Sequence, residues 1–178
     1  MSRHKQALLV AAVAVASLAV GFLFHHLSRE SAHLPVPADS ARALLQASLP
    51  DLSGQVQRLA QWQGKVLVVN FWATWCAPCR EEIPALIQVQ KQLGAKGVQV
   101  LGIAIDQADR VRPYAAEMGI NYPLLVGELD AIDLSRSAGN EIAGLPFTVV
   151  VDRTGNTAGT VTGRVTADKL LSLLAPLL

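Results

Sequence analysis

Histidine is absent after position 33, cysteine occurs twice, aromatic residues make up 5% of 178 positions, and fifteen Lys and Arg stand against fourteen Asp and Glu. Each shortage excludes something. Two cysteines cannot build a disulfide-rich scaffold. A balanced charge offers no clustered basic surface to neutralise phosphates, which argues against binding DNA or RNA. Zinc needs four ligands, and with every His at position 4, 25, 26 or 33 the cysteines reach that number only with carboxylates or a second copy. The apolar share is nevertheless 51%, too high for a disordered or collagen-like chain. With so few aromatics, Ala, Val and Leu must be concentrated somewhere.

They are concentrated near the start. Ala7 to Phe24 (ALLVAAVAVASLAVGFLF) carries no charge and, with His25 to Leu27 added, is long enough to cross a hydrocarbon core of roughly 30 Å. Arg3 and Lys5 precede it, whereas Arg29 and Glu30 cancel, so the positive-inside bias predicts a cytoplasmic tip and an exported remainder. Ala14-Val15-Ala16 also has the form of a signal-peptide cleavage site, but cutting there leaves Leu18 to Leu27 as an exposed apolar end, so a retained single-pass anchor over residues 1–30 is the expectation. His25 and His26 read as an interfacial flank. Residues 31–48, with Pro35 and Pro37 followed by Ala-Leu-rich text, read as an extended linker and a short helix, leaving 49–178 as one domain of ordinary size.

Within that domain Val66 to Phe71 is an apolar, β-branched run suited to burial on both faces of a sheet. A helix follows from about Cys76 to Gly94, with Pro84 expected to bend it. Val98 to Ile105 predicts a second strand, Asp109 to Met118 a helix stopped by Gly119, Tyr122 to Val126 a short strand, and Ala131 to Ser137 a short helix. Phe147 to Val151 and Ala158 to Val165 predict strands joined by the hairpin signal Asp152-Arg153-Thr154-Gly155-Asn156, before a last helix capped by Thr166. This alternation predicts an α/β fold around a central, mostly parallel sheet with an antiparallel hairpin at its C-terminal side.

Both cysteines fall in Trp75-Cys76-Ala77-Pro78-Cys79-Arg80, between a buried strand and a helix. A first Cys at a helix N-terminus has its thiolate stabilised by unpaired N–H groups and the helix dipole. The second lies one turn in, within reach to resolve a mixed disulfide. A passive staple is the bland alternative, but closing so short a loop restrains the unfolded chain by only about 2 kcal/mol.

Asn70-Phe71-Trp72-Ala73-Thr74-Trp75-Cys76-Ala77-Pro78-Cys79, followed downstream by Gly144-Leu145-Pro146-Phe147-Thr148, resembles the thioredoxin superfamily, and more closely its membrane-anchored TlpA/ResA-like protein disulfide reductases. The resemblance implies a thioredoxin-like fold, a central mixed sheet flanked by helices, behind the N-terminal transmembrane helix. It implies catalytic Cys76 and Cys79, a redox-active disulfide in place of any cofactor, and no metal. Pro146 falls on the family's cis-proline, where backbone meets an extended substrate, with Leu145 before it; Trp75 covers the disulfide and contacts substrate. Trp72 reads as core. Asn70 stands where thioredoxin has a buried Asp that deprotonates the resolving thiol, and Asn cannot take that proton. Glu82, three residues past Cys79 on the same helix face, matches the active-site glutamate of ResA-like proteins, while Glu81 is rotated away.

Ala77-Pro78 places no cation beside the thiolate, which favours a reductase over a disulfide-forming oxidase. Protein disulfides are then the substrates. By resemblance these are apocytochrome c or copper-site proteins of cytochrome oxidase assembly, with a DsbD/CcdA-type membrane thiol carrier as electron donor. Localisation follows as a single-pass membrane protein with its domain on the periplasmic or extracytoplasmic side. A copper metallochaperone of the same fold is the alternative of another class, but such proteins use CxxxC and a distal His, both missing here.

Overall fold

The computed structural model describes residues 39–178, with Val13 and Ser17 alone before them. Apart from those two residues, the expected anchor at 7–24 and its cytoplasmic tip lie outside the described residues. Among the described residues no helix is long and apolar enough to cross a membrane. In chain order the elements are α1 (Asp39–Gln46), β1 (Ser48–Pro50), β2 (Val56–Arg58), β3 (Val66–Trp72), α2 (Ala77–Leu93), β4 (Val98–Ala104), α3 (Ala108–Met118), β5 (Leu124–Val126), α4 (Glu128–Ser137), β6 (Phe147–Val151), β7 (Thr157–Thr162) and α5 (Ala167–Leu174).

Five strands form one sheet in the order β5-β4-β3-β6-β7. The β3, β4 and β5 strands run parallel; β6 and β7 are antiparallel additions on the other side. Every residue of β3 is buried, because its alternating side chains enter two separate cores. Val66, Val68 and Trp72 pack with Ile83, Leu86 and Val89 of α2 and Leu170 of α5; Leu67, Val69 and Phe71 pack on the opposite face with Phe147 and Leu101. This is the mixed sheet between helical layers that the resemblance implies.

Of the linker and short helix expected over 31–48, residues 31–38 lie outside the described residues and the helix is present. Its residues Asp39–Gln46 are α1, whose Ala41, Leu44 and Leu45 lie at helical spacing and are buried in the second core, so the folded unit begins before residue 49. A small hairpin of β1 and β2 follows, its turn held by Asp51 Oδ1 accepting from the amides of Ser53 (2.8 Å) and Gln55 (3.0 Å). A bridge from Asp51 to Leu125 attaches it to β5. The α2 helix continues through Pro84 as one element. The α3 helix stops at Gly119, whose φ of 63° suits a residue without a Cβ. The hairpin of β6 and β7 turns at Asp152–Asn156, and Thr166 caps α5 by accepting from the Lys169 amide (3.3 Å), both as expected.

Candidate active site

Beyond Trp72 the chain leaves the sheet and turns through Ala73–Trp75 into α2. The turn is held from the neighbouring strand. Just past the end of β4, Asp106 accepts from the amide (3.0 Å) and hydroxyl of Thr74 and from the Gln107 amide (2.8 Å). Partial burial alone would raise the Asp106 pKa, but these bonds outweigh it and hold the carboxyl below its ordinary range.

Cys76 is the N-cap of α2, and its Sγ accepts from the Cys79 amide at 3.3 Å. Pro78 sits in the first turn, where an intrahelical N–H is not needed. The two sulfurs are joined at 2.06 Å, with Cα atoms 5.3 Å apart. Their surroundings differ. Cys79 has no exposed surface, whereas Cys76 keeps 6% and opens on a groove of about 440 Å³ lined by Trp75, Cys76, Pro78, Ile105, Ile132, Ala143 and Leu145. Trp75 is 64% exposed on the rim.

One helical turn beyond Cys79, α2 contributes to a buried polar cluster. Cys79 and Glu82 are both on the inward face of α2, and Glu82 is only 1% exposed. Its Oε1 accepts from Asn70 Nδ2 (2.7 Å) and its Oε2 from the Val165 amide (2.8 Å). Asn70 also donates to Thr148 Oγ1 (3.0 Å), its register partner on β6, and its own Oδ1 has no partner. Burial raises the Glu82 pKa to about 7, even though the bonds from Val165 and Asn70 and the charge of Arg164 pull the other way. A carboxyl so placed can hold or release a proton at neutral pH. Tyr122, buried nearby, stays neutral because desolvation and the Glu82 charge both raise its pKa.

The structure therefore brings Trp75, Cys76 and Leu145 to one groove, and sets Cys79 and Glu82 three residues apart on the buried face of α2. The Leu145–Pro146 bond is cis, and Pro146 is buried, its carbonyl accepting from the Gly163 amide at 2.8 Å. Glu81 points elsewhere and pairs with Arg164 at 2.8 Å. Trp72 is core, with its ring 5.8 Å from that of Tyr114. Residues that sequence reasoning missed are Thr148, Asp106, Ile132 and the Val165 amide. Thr148 had a legible signal, being the single polar residue in an apolar strand, as Asn70 is in β3. A backbone amide carries none. A polar groove of about 640 Å³ lined in part by Arg42, Arg58 and Gln63 shares no residue with this site. Among the described residues no cluster of His, Cys, Asp and Glu is arranged to hold a metal.

The profile of the AhpC/TSA family matches residues 41–161, most of the described domain. The chain belongs to that family. This AhpC/TSA protein is 28% identical over 123 residues to the thiol-disulfide oxidoreductase ResA of Geobacillus thermodenitrificans, covering 68% of each chain. It is 36% identical over 118 residues to the thiol:disulfide interchange protein HelX of Rhodobacter capsulatus, covering 65% of this chain and 62% of that one. A solved thiol:disulfide interchange protein of the thioredoxin family from Chlorobium tepidum TLS superposes with a TM-score of 0.67 at 32% identity, over 74% of this chain and 92% of the other. The AhpC/TSA member described here is accordingly a thiol-disulfide oxidoreductase of the ResA and HelX type, with Cys76 and Cys79 as its cysteine pair.

Proposed function

We propose that the protein is an exported, membrane-anchored reductase of protein disulfides acting in cytochrome c or cytochrome oxidase maturation. The observation that carries the exchange chemistry is the asymmetry of the pair, which assigns the attacking and resolving roles: Cys76 opens on the groove, while Cys79 is buried on the helix face that holds a carboxyl displaced to about 7. In the reduced protein the Cys76 thiolate, stabilised by the first amides of α2, attacks one sulfur of a substrate disulfide at the groove. The substrate's other sulfur leaves with the electron pair and is protonated. Cys79 then gives its proton towards Glu82 and attacks Cys76, which releases the second substrate thiol and leaves the enzyme disulfide. Trp75, Leu145 and the backbone before Pro146 hold the substrate.

Each turnover consumes one dithiol, so electrons must be resupplied. A membrane thiol carrier of the DsbD/CcdA type fits an extracytoplasmic domain tethered by residues 7–24, and the charge asymmetry around that run supports the topology. The absence of a cation in Ala77-Pro78 supports reduction over oxidation. The deciding experiment is the reduction potential of the Cys76–Cys79 pair against a glutathione or dithiothreitol series. A value between about −200 and −270 mV is expected, and one near about −120 mV, where strong oxidants of this fold lie, would sink the reductase reading.

A further inference from the structure

The loop that brings Leu145 to the groove is held by a side chain that the sulfur chemistry does not use. Asn140 follows α4 and is 1% exposed. Its Nδ2 donates to the Gly144 carbonyl (2.9 Å) and to Ser135 Oγ (3.3 Å), and its Oδ1 accepts from the Gly144 amide (3.1 Å). Ser135, fully buried, in turn donates to the carbonyl of Ile132 (2.8 Å). Ile132 and Leu145 line the same groove beside Cys76. One hydrogen-bonded chain thus joins the α4 wall of the groove to the loop forming the other wall.

The loop needs such a tie. Ala143 has a φ of 50°, a left-handed conformation that its Cβ disfavours, and its amide donates to the Asn140 carbonyl at 2.9 Å. A buried carboxamide is stable only while its partners stay in place, so displacing Gly144 would strand Asn140 Oδ1, leave its Nδ2 with Ser135 alone and break both backbone bonds of Gly144.

We propose that Asn140 is a positioning residue for substrate capture: it holds Gly144 and Leu145 where an extended polypeptide can pair with the backbone before Pro146, and so fixes the span between Ile132 and Leu145. The proposal rests on the reductase reading above, and concerns the binding of a polypeptide rather than the exchange of sulfur bonds.

The test compares the full chain with Asn140→Ala and Ser135→Ala, using dithiothreitol as electron source and two substrates. One is a polypeptide with a single disulfide; the other is a small aromatic disulfide with no backbone to pair. For Asn140→Ala, KM for the polypeptide is expected to rise about tenfold with kcat changed less than about twofold, the signature of lost binding rather than lost chemistry. Ser135→Ala leaves both bonds to Gly144 in place and is expected to raise KM by about threefold. Turnover of the small disulfide and the Cys76–Cys79 potential stay at wild-type values in both variants. Equal losses on the two substrates would reveal a merely structural role and overturn the proposal. An unchanged polypeptide KM in Asn140→Ala, with wild type active on both substrates, overturns the positioning role alone. A wild type that reduces only the small disulfide overturns the reductase reading and the positioning role with it.

Discussion

Replacing Glu82 by Gln should change how stability depends on pH, by an amount that follows from the burial of one carboxyl. In the unfolded chain Glu82 titrates near its ordinary value of 4.5, whereas burial in the fold raises it to about 7. Between those values the folded protein keeps a proton that the unfolded chain has lost, so raising the pH favours unfolding. The stabilisation of the protonated form is complete below about pH 4.5 and is lost as pH rises through about 7. At about 1.4 kcal/mol per pH unit it amounts to roughly 3 kcal/mol. Gln has the shape of Glu without the charge. One of its polar atoms can still accept, and Asn70 can turn so that its unpartnered Oδ1 receives the new NH2 group. The assay is urea unfolding of the oxidised protein and its Glu82→Gln variant from pH 4 to pH 9, with the disulfide keeping both cysteines out of the titration. Wild-type stability minus variant stability should fall by roughly 3 kcal/mol across the window. A difference that is flat, or that rises with pH, would refute the displaced carboxyl and with it the proton acceptor assigned to Cys79.

The same Glu82→Gln variant should slow thiol–disulfide exchange at pH 7 by about tenfold or more and remove the inflection near neutrality from the pH–rate profile, measured by stopped-flow with a polypeptide disulfide; an unchanged rate would remove Glu82 from the mechanism. Gly102→Ala places a Cβ 2.5 Å from Leu124 Cδ2 and 3.1 Å from Trp72 Nε1 in the core beneath the site. It should cost about 1 to 3 kcal/mol in denaturant unfolding, and a loss below about 0.5 kcal/mol would show that the neighbours give way freely.

The elements that sequence made legible are those whose burial leaves a long trace. The strand Val66–Trp72 is an apolar run interrupted only by Asn70, and the Cys-Ala-Pro-Cys start of α2 declares both a helix cap and a redox pair. The short helix expected after Pro35 and Pro37 is α1, but its stripe of only Ala41, Leu44 and Leu45 did not reveal that it packs into the core of the domain. The strands Ser48–Pro50 and Val56–Arg58 are too short for any period to register. Helical spacing placed Glu82 on the face of Cys79, but not its depth. That depth comes from α5 and the segment before it closing over α2, which delivers the Val165 amide to a carboxylate 83 residues away in sequence. The Asn140 tie was equally invisible, since two of its contacts are to the backbone of a loop.

The disulfide joins residues only three positions apart, at the tip of α2 rather than across the sheet. A loop so short restrains the unfolded chain by only about 2 kcal/mol, so reduction removes little chain-entropy stabilisation from the fold. Oxidised and reduced, folded and unfolded, form the four corners of a closed thermodynamic cycle. The difference in unfolding free energy between the two redox forms therefore equals the amount by which folding shifts the potential of the pair, with about 1.4 kcal/mol for each 30 mV. The reductase proposed above requires the disulfide form to be the more stable to unfolding, and two urea titrations measure that difference without any redox partner.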